Sequence, residues 1–280
     1  MRISFGGKQL SADLWRTSPI SPYLAYHEIA GQSSKYFYSV TQDQFREQLL
    51  RLQVRPVGGR VDAVRPKITF DDGHISQYDF GLPALQESGV QAIFFVTAGW
   101  ADLRKGYMSW QQLTELQRLG HEVQSHGWSH RFLTACSLPD LRYELEHSKK
   151  WLEDKLGTQV NAISLPGGRW NRQILDACAD LGYRRVFTSD PFPLPKLAAG
   201  LDLYGRLMVP KTMRVETIQR LLDGHGISIY KLRVKHLART AAKRYLGDAA
   251  YRSLWLRFAN KDDSQESVEV ASKSKTSTNS

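Results

Sequence analysis

The sequence predicts an α/β protein with a parallel sheet, and the number of its repeating units suggests a barrel. Two observations carry this reading. Short β-branched or aromatic runs alternate with amphipathic helical stretches from residue 23 to 222, and seven such strand runs are present. The residues suited to chemistry, His27, Asp71, Asp72, His126, His130, Gly168 and Asp190, each fall just after a predicted strand. In an α/β barrel those positions share one rim, where active sites form.

Residues 1–22 are polar and weakly patterned, an extended lead-in. The run Tyr23-Leu24-Ala25-Tyr26 reads as the first strand. Thr41 and Gln44 make a capping box for a helix whose apolar stripe is Phe45, Leu49 and Leu52, and a loop over 53–66 follows. The second strand is 67–71, with a helix near 76–88 that stops before Gly89. Residues 92–96 are continuously apolar, as expected of a strand buried on both faces. Ser109 and Gln112 cap a helix that turns Trp110, Leu113, Leu116 and Leu119 to one side and ends at Gly120. A fourth strand spans 121–125, and a longer helix, 138–156, starts near Ser137 and stops at Gly157. Residues 161–165 form the fifth strand, after which Asn171 caps a helix carrying Ile174, Leu175, Cys178 and Leu181. Residues 185–188 and 205–209 complete the strands, and 215–222 is a further helix.

The stretch Lys67-Ile68-Thr69-Phe70-Asp71-Asp72-Gly73 ends a buried strand in two adjacent carboxylates. Neighbours on a strand point to opposite faces, so both can serve one site only if the backbone turns, which Gly73 permits. Taken alone, Asp-Asp-Gly is equally good β-turn chemistry. The histidine pair in Ser125-His126-Gly127-Trp128-Ser129-His130 adds weight to the functional reading. On a helical turn this spacing brings both imidazoles to one side, where they can chelate one ion. Two His and one carboxylate leave coordination positions open for water, the layout of a hydrolytic metal site.

These two strings, Thr69-Phe70-Asp71-Asp72-Gly73 and Ser125-His126-Gly127-Trp128-Ser129-His130, resemble the first two signatures of the polysaccharide deacetylases. That is the NodB-homology or carbohydrate esterase 4 family. Tyr26-His27-Glu28, Tyr38-Ser39-Val40-Thr41, Phe94-Phe95-Val96 and Gly120-His121-Glu122-Val123 support the likeness, which runs from about residue 23 to about residue 190. The resemblance implies a distorted (β/α)7, TIM-like barrel over 23–230. It implies a divalent cation, zinc first with cobalt, nickel or manganese as alternatives, on Asp72, His126 and His130. Asp71 is then the general base, and the substrate is an acetylated sugar or polysaccharide. Thr97 and Gly168 are expected to line the mouth, Gly168 through its backbone N–H near the oxyanion. Trp128 and Trp170 either stack on a sugar ring or pack the rim, and Asp190 tunes a proton donor, hydrogen-bonds the sugar or caps a Pro-rich turn.

The sequence departs from that family's pattern in two places. Where the third motif carries an Arg two residues before its Pro, this chain has Ser164-Leu165-Pro166, with Arg169 or Arg206 as substitutes. The fifth motif, which supplies a general-acid His, is matched only loosely by Leu222-Asp223-Gly224-His225, leaving His225 and His27 as rival donors. Two other readings therefore stand beside the deacetylase: hydrolysis of a small amide or cyclic imide, and a catalytically weak glycan-binding protein.

Composition bounds the setting. With 280 residues, 41% of them hydrophobic, the chain can bury a full core. It has no apolar run of membrane-spanning length and no apolar segment of signal-peptide length at its start, so a cytoplasmic location is expected. Cys136 and Cys178 lack metal or redox spacing and fit a reducing compartment. Much of the formal charge of +10 is concentrated in 231–258, where Lys231, Arg233, Lys235, Arg239, Lys243, Arg244, Arg252 and Arg257 face one acid, Asp248. No nucleic-acid recognition motif accompanies these cations, so a nucleic-acid partner is not expected. The segment is read as a basic helical appendage packed on the barrel, or as a peripheral contact with the anionic inner face of a membrane. Residues 259–280 have little to bury, and a disordered tail is expected there.

Overall fold

Strands β1 (Tyr23–Tyr26), β2 (Glu28–Ala30), β3 (Ser39–Thr41), β4 (Lys67–Phe70), β5 (Ala92–Val96) and β6 (Glu122–Ser125) occupy the first half of the chain. They are followed by β7 (Ala162–Ser164), β8 (Arg185–Phe187), β9 (Asp202–Tyr204) and β10 (Leu207–Met208). The structure, a computed structural model, describes residues 20–32, 34–54, 65–192, 194, 200–223 and 229–238. Eight strands form one all-parallel sheet in the order β10-β1-β4-β5-β6-β7-β8-β9. The helices α1 (Gln42–Val54), α2 (Leu82–Ser88), α3 (Trp110–Arg118), α4 (Leu138–Leu156), α5 (Arg172–Asp180) and α6 (Val215–Leu222) cover its outer face.

The two edge strands, β9 and β10, are separated in the chain only by Gly205 and Arg206. From Tyr204 to Leu207 the backbone reaches at most about 11 Å, so the sheet must curl until its edges meet. They are two halves of one closing strand, the first paired with β8 and the second with β1. The strand expected at 205–209 is therefore present, starts earlier and is broken at Gly205–Arg206. Seven strand positions around a curled parallel sheet match the distorted (β/α)7 barrel.

Period-two alternation sorts the side chains. Ile68 and Phe70 of β4 point out into the helix-covered core, as do Leu24 and Tyr26 of β1. Tyr23, Phe95, Ala162 and Phe187 instead fill the barrel, with Tyr204 packed against them. This leaves Thr69 and Asp71, on the inward-pointing set, facing the barrel lumen at its C-terminal end.

Several local expectations hold. Ser109 and Gln112 complete both halves of a capping box, and Gly89 and Gly157 are left-handed C-caps. Only half of the Thr41 box forms, because the Gln44 side chain donates to the Met213 carbonyl (2.9 Å) instead of reaching back. The helix expected at 76–88 begins as a π-helical turn, Gln77–Gly81, before α2. The small β2–β3 pair is an addition that sequence pattern does not signal. The lead-in up to residue 19, much of the loop over 53–66, His225, the appendage beyond residue 238 and the tail lie outside the described residues. Of the basic segment, 229–238 is described, and it is helical (α7). Among the described residues no helix is long and apolar enough to cross a membrane.

Candidate active site

Asp71 and Asp72 reach one site by an unusual backbone step. Alternation sends Asp71 inward and would send Asp72 outward, but Asp72 itself adopts a left-handed conformation, φ 75°. Gly73 continues the turn at φ 84°. The bend thus begins one residue earlier than the Gly73 turn expected from the sequence, on a residue for which this conformation costs roughly 1–2 kcal/mol. Gln77 of the π-helical turn fastens the bend, donating through Nε2 to the carbonyls of Asp71 (2.5 Å) and His27 (2.6 Å).

The histidines are not on a helical turn, contrary to the expectation from their spacing. Residues 126–130 form a loop with Gly127 at φ 81° and His130 at φ 60°. Its shape comes from buried Glu144 of α4, whose carboxylate accepts from the backbone N–H groups of Trp128 (3.0 Å) and Ser129 (2.9 Å) and from the Ser129 hydroxyl. Among the described residues three non-glycines have positive φ, and two of them are Asp72 and His130. Strain of this kind persists where the surroundings enforce it, often at functional sites.

The loop and the bend converge. Asp72 Oδ1 lies 3.3 Å from His126 Nε2 and 3.2 Å from His130 Nε2. His126 Nδ1–H donates to the Ser164 carbonyl (2.7 Å), which turns Nε2 toward the carboxylate. Ligand atoms on one first-row divalent cation, each about 2.0–2.2 Å from it, stand roughly 3–3.5 Å apart. The three donors, all within 4.8 Å of one another, fit such an ion. Burial opposes charge on His126, but the carboxylates of Asp71 and Asp72 outweigh it and raise the imidazole above its ordinary pKa.

Asp71 has a different partner. Arg206 forks onto it, Nη1 to Oδ1 and Nη2 to Oδ2, both at 2.7 Å. The same guanidinium donates to Thr69 Oγ1 (3.2 Å), Ser164 Oγ (2.7 Å) and the Thr188 carbonyl (3.2 Å). Both side chains are buried. Burial alone would push Asp71 up; Arg206, with help from His126, reverses this and brings its pKa down to about 2.

Of the other expected site residues, His27 sits at the end of β1, stacked on Tyr38 (5.1 Å between ring centres) and close enough to Asp71 to influence its charge. Thr97 is fully buried, and its hydroxyl makes no hydrogen bond among the described residues. Trp128 turns toward α4, edge-on to His147 and Trp151, as rim packing. The Gly168 N–H donates to the Leu165 carbonyl (2.7 Å), so it is spent inside its own turn and does not serve an oxyanion. Trp170 is exposed, with no ring partner among the described residues. Asp190 accepts from the Phe192 N–H and pairs with His236 of α7, as a turn cap and a helix anchor. Glu144 and Gln77 are supports that sequence reading misses, since each is a single polar residue whose backbone partners lie outside its own helix.

Comparison with known proteins agrees with this geometry. The polysaccharide deacetylase family model matches residues 63–186, which carry both the paired aspartates and the histidine loop. Over those residues the chain is similar in sequence to the polysaccharide deacetylases. It is 31% identical over 124 residues to YxkH of Bacillus subtilis, named for the same family, the match covering 44% of each chain. It is also 31% identical over 113 residues to the peptidoglycan-N-acetylglucosamine deacetylase PgdA of Listeria monocytogenes, covering 40% of this chain and 23% of that one. The chain spans less than half the length of these curated relatives. In fold it is similar to the Streptococcus pyogenes deacetylase PplD, with a TM-score of 0.63 at 24% identity over 74% of this chain and 99% of that one. Against the deacetylase pattern, Ser164 holds the place expected for the third-motif arginine. Arg206, from the closing strand, reaches the same carboxylate and hydrogen-bonds the Ser164 hydroxyl on the way.

Proposed function

We propose that this chain hydrolyses the acetyl amide of N-acetylated sugars in a glycan or glycan precursor. The observation that carries the reading is the forked Arg206–Asp71 pair standing beside the Asp72, His126 and His130 cluster. The name of the Listeria relative supports the substrate class.

Asp72, His126 and His130 would hold a divalent cation, with zinc favoured by the mixed imidazole and carboxylate donors. When bound, the ion supplies Lewis acidity that lowers the pKa of water and offsets charge developing on the acetyl oxygen. Asp71 accepts the proton of the attacking water. With a pKa of about 2 it is ionised throughout the useful pH range. Its low proton affinity makes it a modest base, so its effect depends on orientation, which the Arg206 fork supplies. The C–N bond breaks, acetate leaves on one side, and the sugar amine takes up a proton. His27 is the donor we assign among the described residues, as the imidazole near Asp71 that is not in the ligand cluster. Arg206 argues against the binding-only alternative, because the base-orienting arginine that reading takes as lost is supplied from another strand.

The test is free amine released from an N-acetylglucosamine oligomer by the zinc-reconstituted chain. Activity that chelation removes and zinc restores is expected, with Asp71→Asn reducing kcat by about 100-fold or more. Full activity in Asp71→Asn overturns the base assignment, and glycan binding without any acetate release favours the binding-only reading.

Helix α7 supports a peripheral partner as well. Ile229 is buried, Arg233 lies over the Phe192 ring and His236 pairs with Asp190, while Tyr230, Lys231, Val234, Lys235 and Leu237 are exposed. An apolar row flanked by lysines suits an anionic lipid surface. Sedimentation with phosphatidylserine vesicles should fall when Lys231 and Lys235 become Gln and Tyr230 and Leu237 become Ser. Unchanged sedimentation removes this partner.

A further inference from the structure

Helix α7 turns one stripe toward the barrel and the other to solvent. Ile229, Leu232, Arg233 and His236 recur at the spacing of a single helical face. Ile229 is buried in the core and Leu232 packs partly against it. The Arg233 guanidinium carbon and the His236 ring lie 5.4 Å and 5.6 Å from the centre of the Phe192 ring. His236 also pairs with Asp190, its Nε2 standing 3.4 Å from Oδ2. Tyr230, Val234 and Leu237 occupy the exposed side. The inner stripe therefore rests on the turn 190–192.

That turn also holds Arg206. The Arg206 main-chain N–H donates to the Asp190 carbonyl (2.7 Å), and its side-chain Nε–H donates to the Thr188 carbonyl (3.2 Å). Within the turn, Thr188 Oγ1 accepts from the Asp190 N–H (3.2 Å), and Asp190 Oδ1 accepts from the Phe192 N–H (3.0 Å). Asp190 thus shapes the turn with one carboxylate oxygen and meets α7 with the other, while its carbonyl fixes the arginine backbone. Inside the barrel the Phe95 ring lies 5.4 Å from the guanidinium carbon, whose fork ends on Asp71.

A two-pronged ion pair is directional, so a displaced guanidinium turns the carboxylate with it. Misplacement of a reacting group by about 1 Å can cost on the order of 100-fold in rate. Helix, turn, arginine and base touch one another at every step, and α7 reaches the reaction along that chain without lining the ligand cluster.

We propose that α7 is a positioning element of the active site: docked through Leu232 and His236 on the 190–192 turn, it holds Arg206, and through Arg206 the base Asp71, in the working orientation. This rests on the deacetylase reading for the reaction, but the link from helix to arginine can be measured without turnover. Leu232→Asp undoes the docking from its apolar side, and His236→Asp sets a like charge against Asp190. In the zinc-reconstituted full chain each should lower kcat for amine release from chitotetraose about 10-fold, with KM changed by less than about twofold. His236→Gln keeps an N–H donor for Asp190 and should recover most of that loss. A His236→Gln variant as impaired as His236→Asp would mean that the imidazole acts by proton chemistry, and overturns the positioning role. The Arg206→Met background tests the route: there Leu232→Asp should cost less than about twofold, because the group it acts through is gone. An undiminished loss in that background overturns the proposal, as does wild-type kcat in both Asp variants. Where even the wild type releases no amine, the deacetylase reading fails on its own, and hydrogen exchange followed by NMR decides the link. Relative to the amides of β5, the Arg206 N–H should then exchange at least about 10-fold faster in both Asp variants than in the wild type. Unchanged relative protection of that N–H overturns the proposal.

Discussion

Arg206 and Asp71 stand 135 positions apart in sequence and meet in a two-pronged, buried ion pair at the barrel seam. The pair does two jobs. It keeps Asp71 ionised against a burial that would protonate it, and it fixes the carboxylate beside the Asp72, His126 and His130 cluster. Removing one partner of a buried pair typically costs about 3–5 kcal/mol, because the other is left uncompensated. Arg206→Met is therefore expected to lower stability by that order and kcat by at least tenfold, while Arg206→Lys keeps the charge without the fork and loses less. Urea unfolding of Asp71→Asn, Arg206→Met and the double variant checks this. The double variant should be less destabilised than the sum of the singles, and strict additivity would show the two do not act as a unit.

The same pair sets an acid limit. The folded pKa of Asp71 lies below the unfolded value, so its stabilisation is complete above about pH 4 and is lost as pH falls toward 2. A shift of this size corresponds to on the order of 2 kcal/mol. Acid unfolding followed by far-UV circular dichroism should show a transition in that window for the wild type that is much reduced in Asp71→Asn.

Which parts of this site are legible in the sequence follows from where the signal lies. Asp72, His126 and His130 sit in short strings at strand ends, and alternation plus a following glycine is enough to bring them to one rim. Caps such as Ser109 with Gln112 and stops such as Gly157 are equally local and equally readable. Arg206 is readable only as one of two candidate arginines, because its choice depends on the sheet closing at Gly205–Arg206, a long-range event. The spacing of His126 and His130 suggests a helical turn. The actual loop is imposed by Glu144 from a helix that follows it, and tertiary contact overrides local preference there. Gly168 shows the opposite error: a glycine at a strand end invites an oxyanion role, whereas the close approach of Ser189, 2.1 Å from where its Cβ would be, is sufficient reason for it.

Glu144 is expected to matter through the ligands it does not touch. Its carboxylate accepts the Trp128 and Ser129 N–H groups and so holds His130 in its left-handed conformation. Glu144→Gln offers a weaker acceptor and should reduce zinc affinity by about 10–100-fold, the usual cost of losing a ligand's support. Competition with a chromophoric chelator measures this, and a fold unchanged by circular dichroism separates it from global damage. Unaltered zinc affinity would mean that the histidine loop keeps its shape without Glu144.

Metal binding should be strongly pH-dependent. His126 has a raised pKa in the metal-free chain, so below that pKa an ion must displace its proton. The stabilisation from the protonated imidazole beside Asp71 and Asp72 is present below the unfolded pKa of His and lost as pH rises through the higher folded value. The zinc-induced rise in Tm is accordingly expected to be larger at pH 8 than at pH 5.5. Calorimetric titration in two buffers of different ionisation enthalpy should also show proton release. Equal Tm shifts at both pH values would contradict this assignment.

The seam gives a last prediction. Gly205 lies where the closing strand crosses from β8 to β1, and a Cβ there would fall 2.2 Å from the Phe192 carbonyl oxygen and 2.4 Å from that of Asp190. Both are backbone atoms, so no rotamer change relieves the clash. The neighbouring Arg206 N–H donates to that same Asp190 carbonyl (2.7 Å), and Ser21 donates to the Gly205 carbonyl. Gly205→Ala must therefore push the 190–192 turn away from the strand that carries Arg206. A stability loss of about 3 kcal/mol or more is expected, together with a drop in kcat larger than the change in KM, because Arg206 would shift against Asp71. Gly89→Ala is the control: Gly89 is left-handed, φ 63°, which Gly205 is not, and no atom lies within 4 Å of the added carbon. It should cost only about 1–2 kcal/mol from backbone strain and leave kcat alone. Equal kinetic effects from the two substitutions would mean that the seam does not position the arginine.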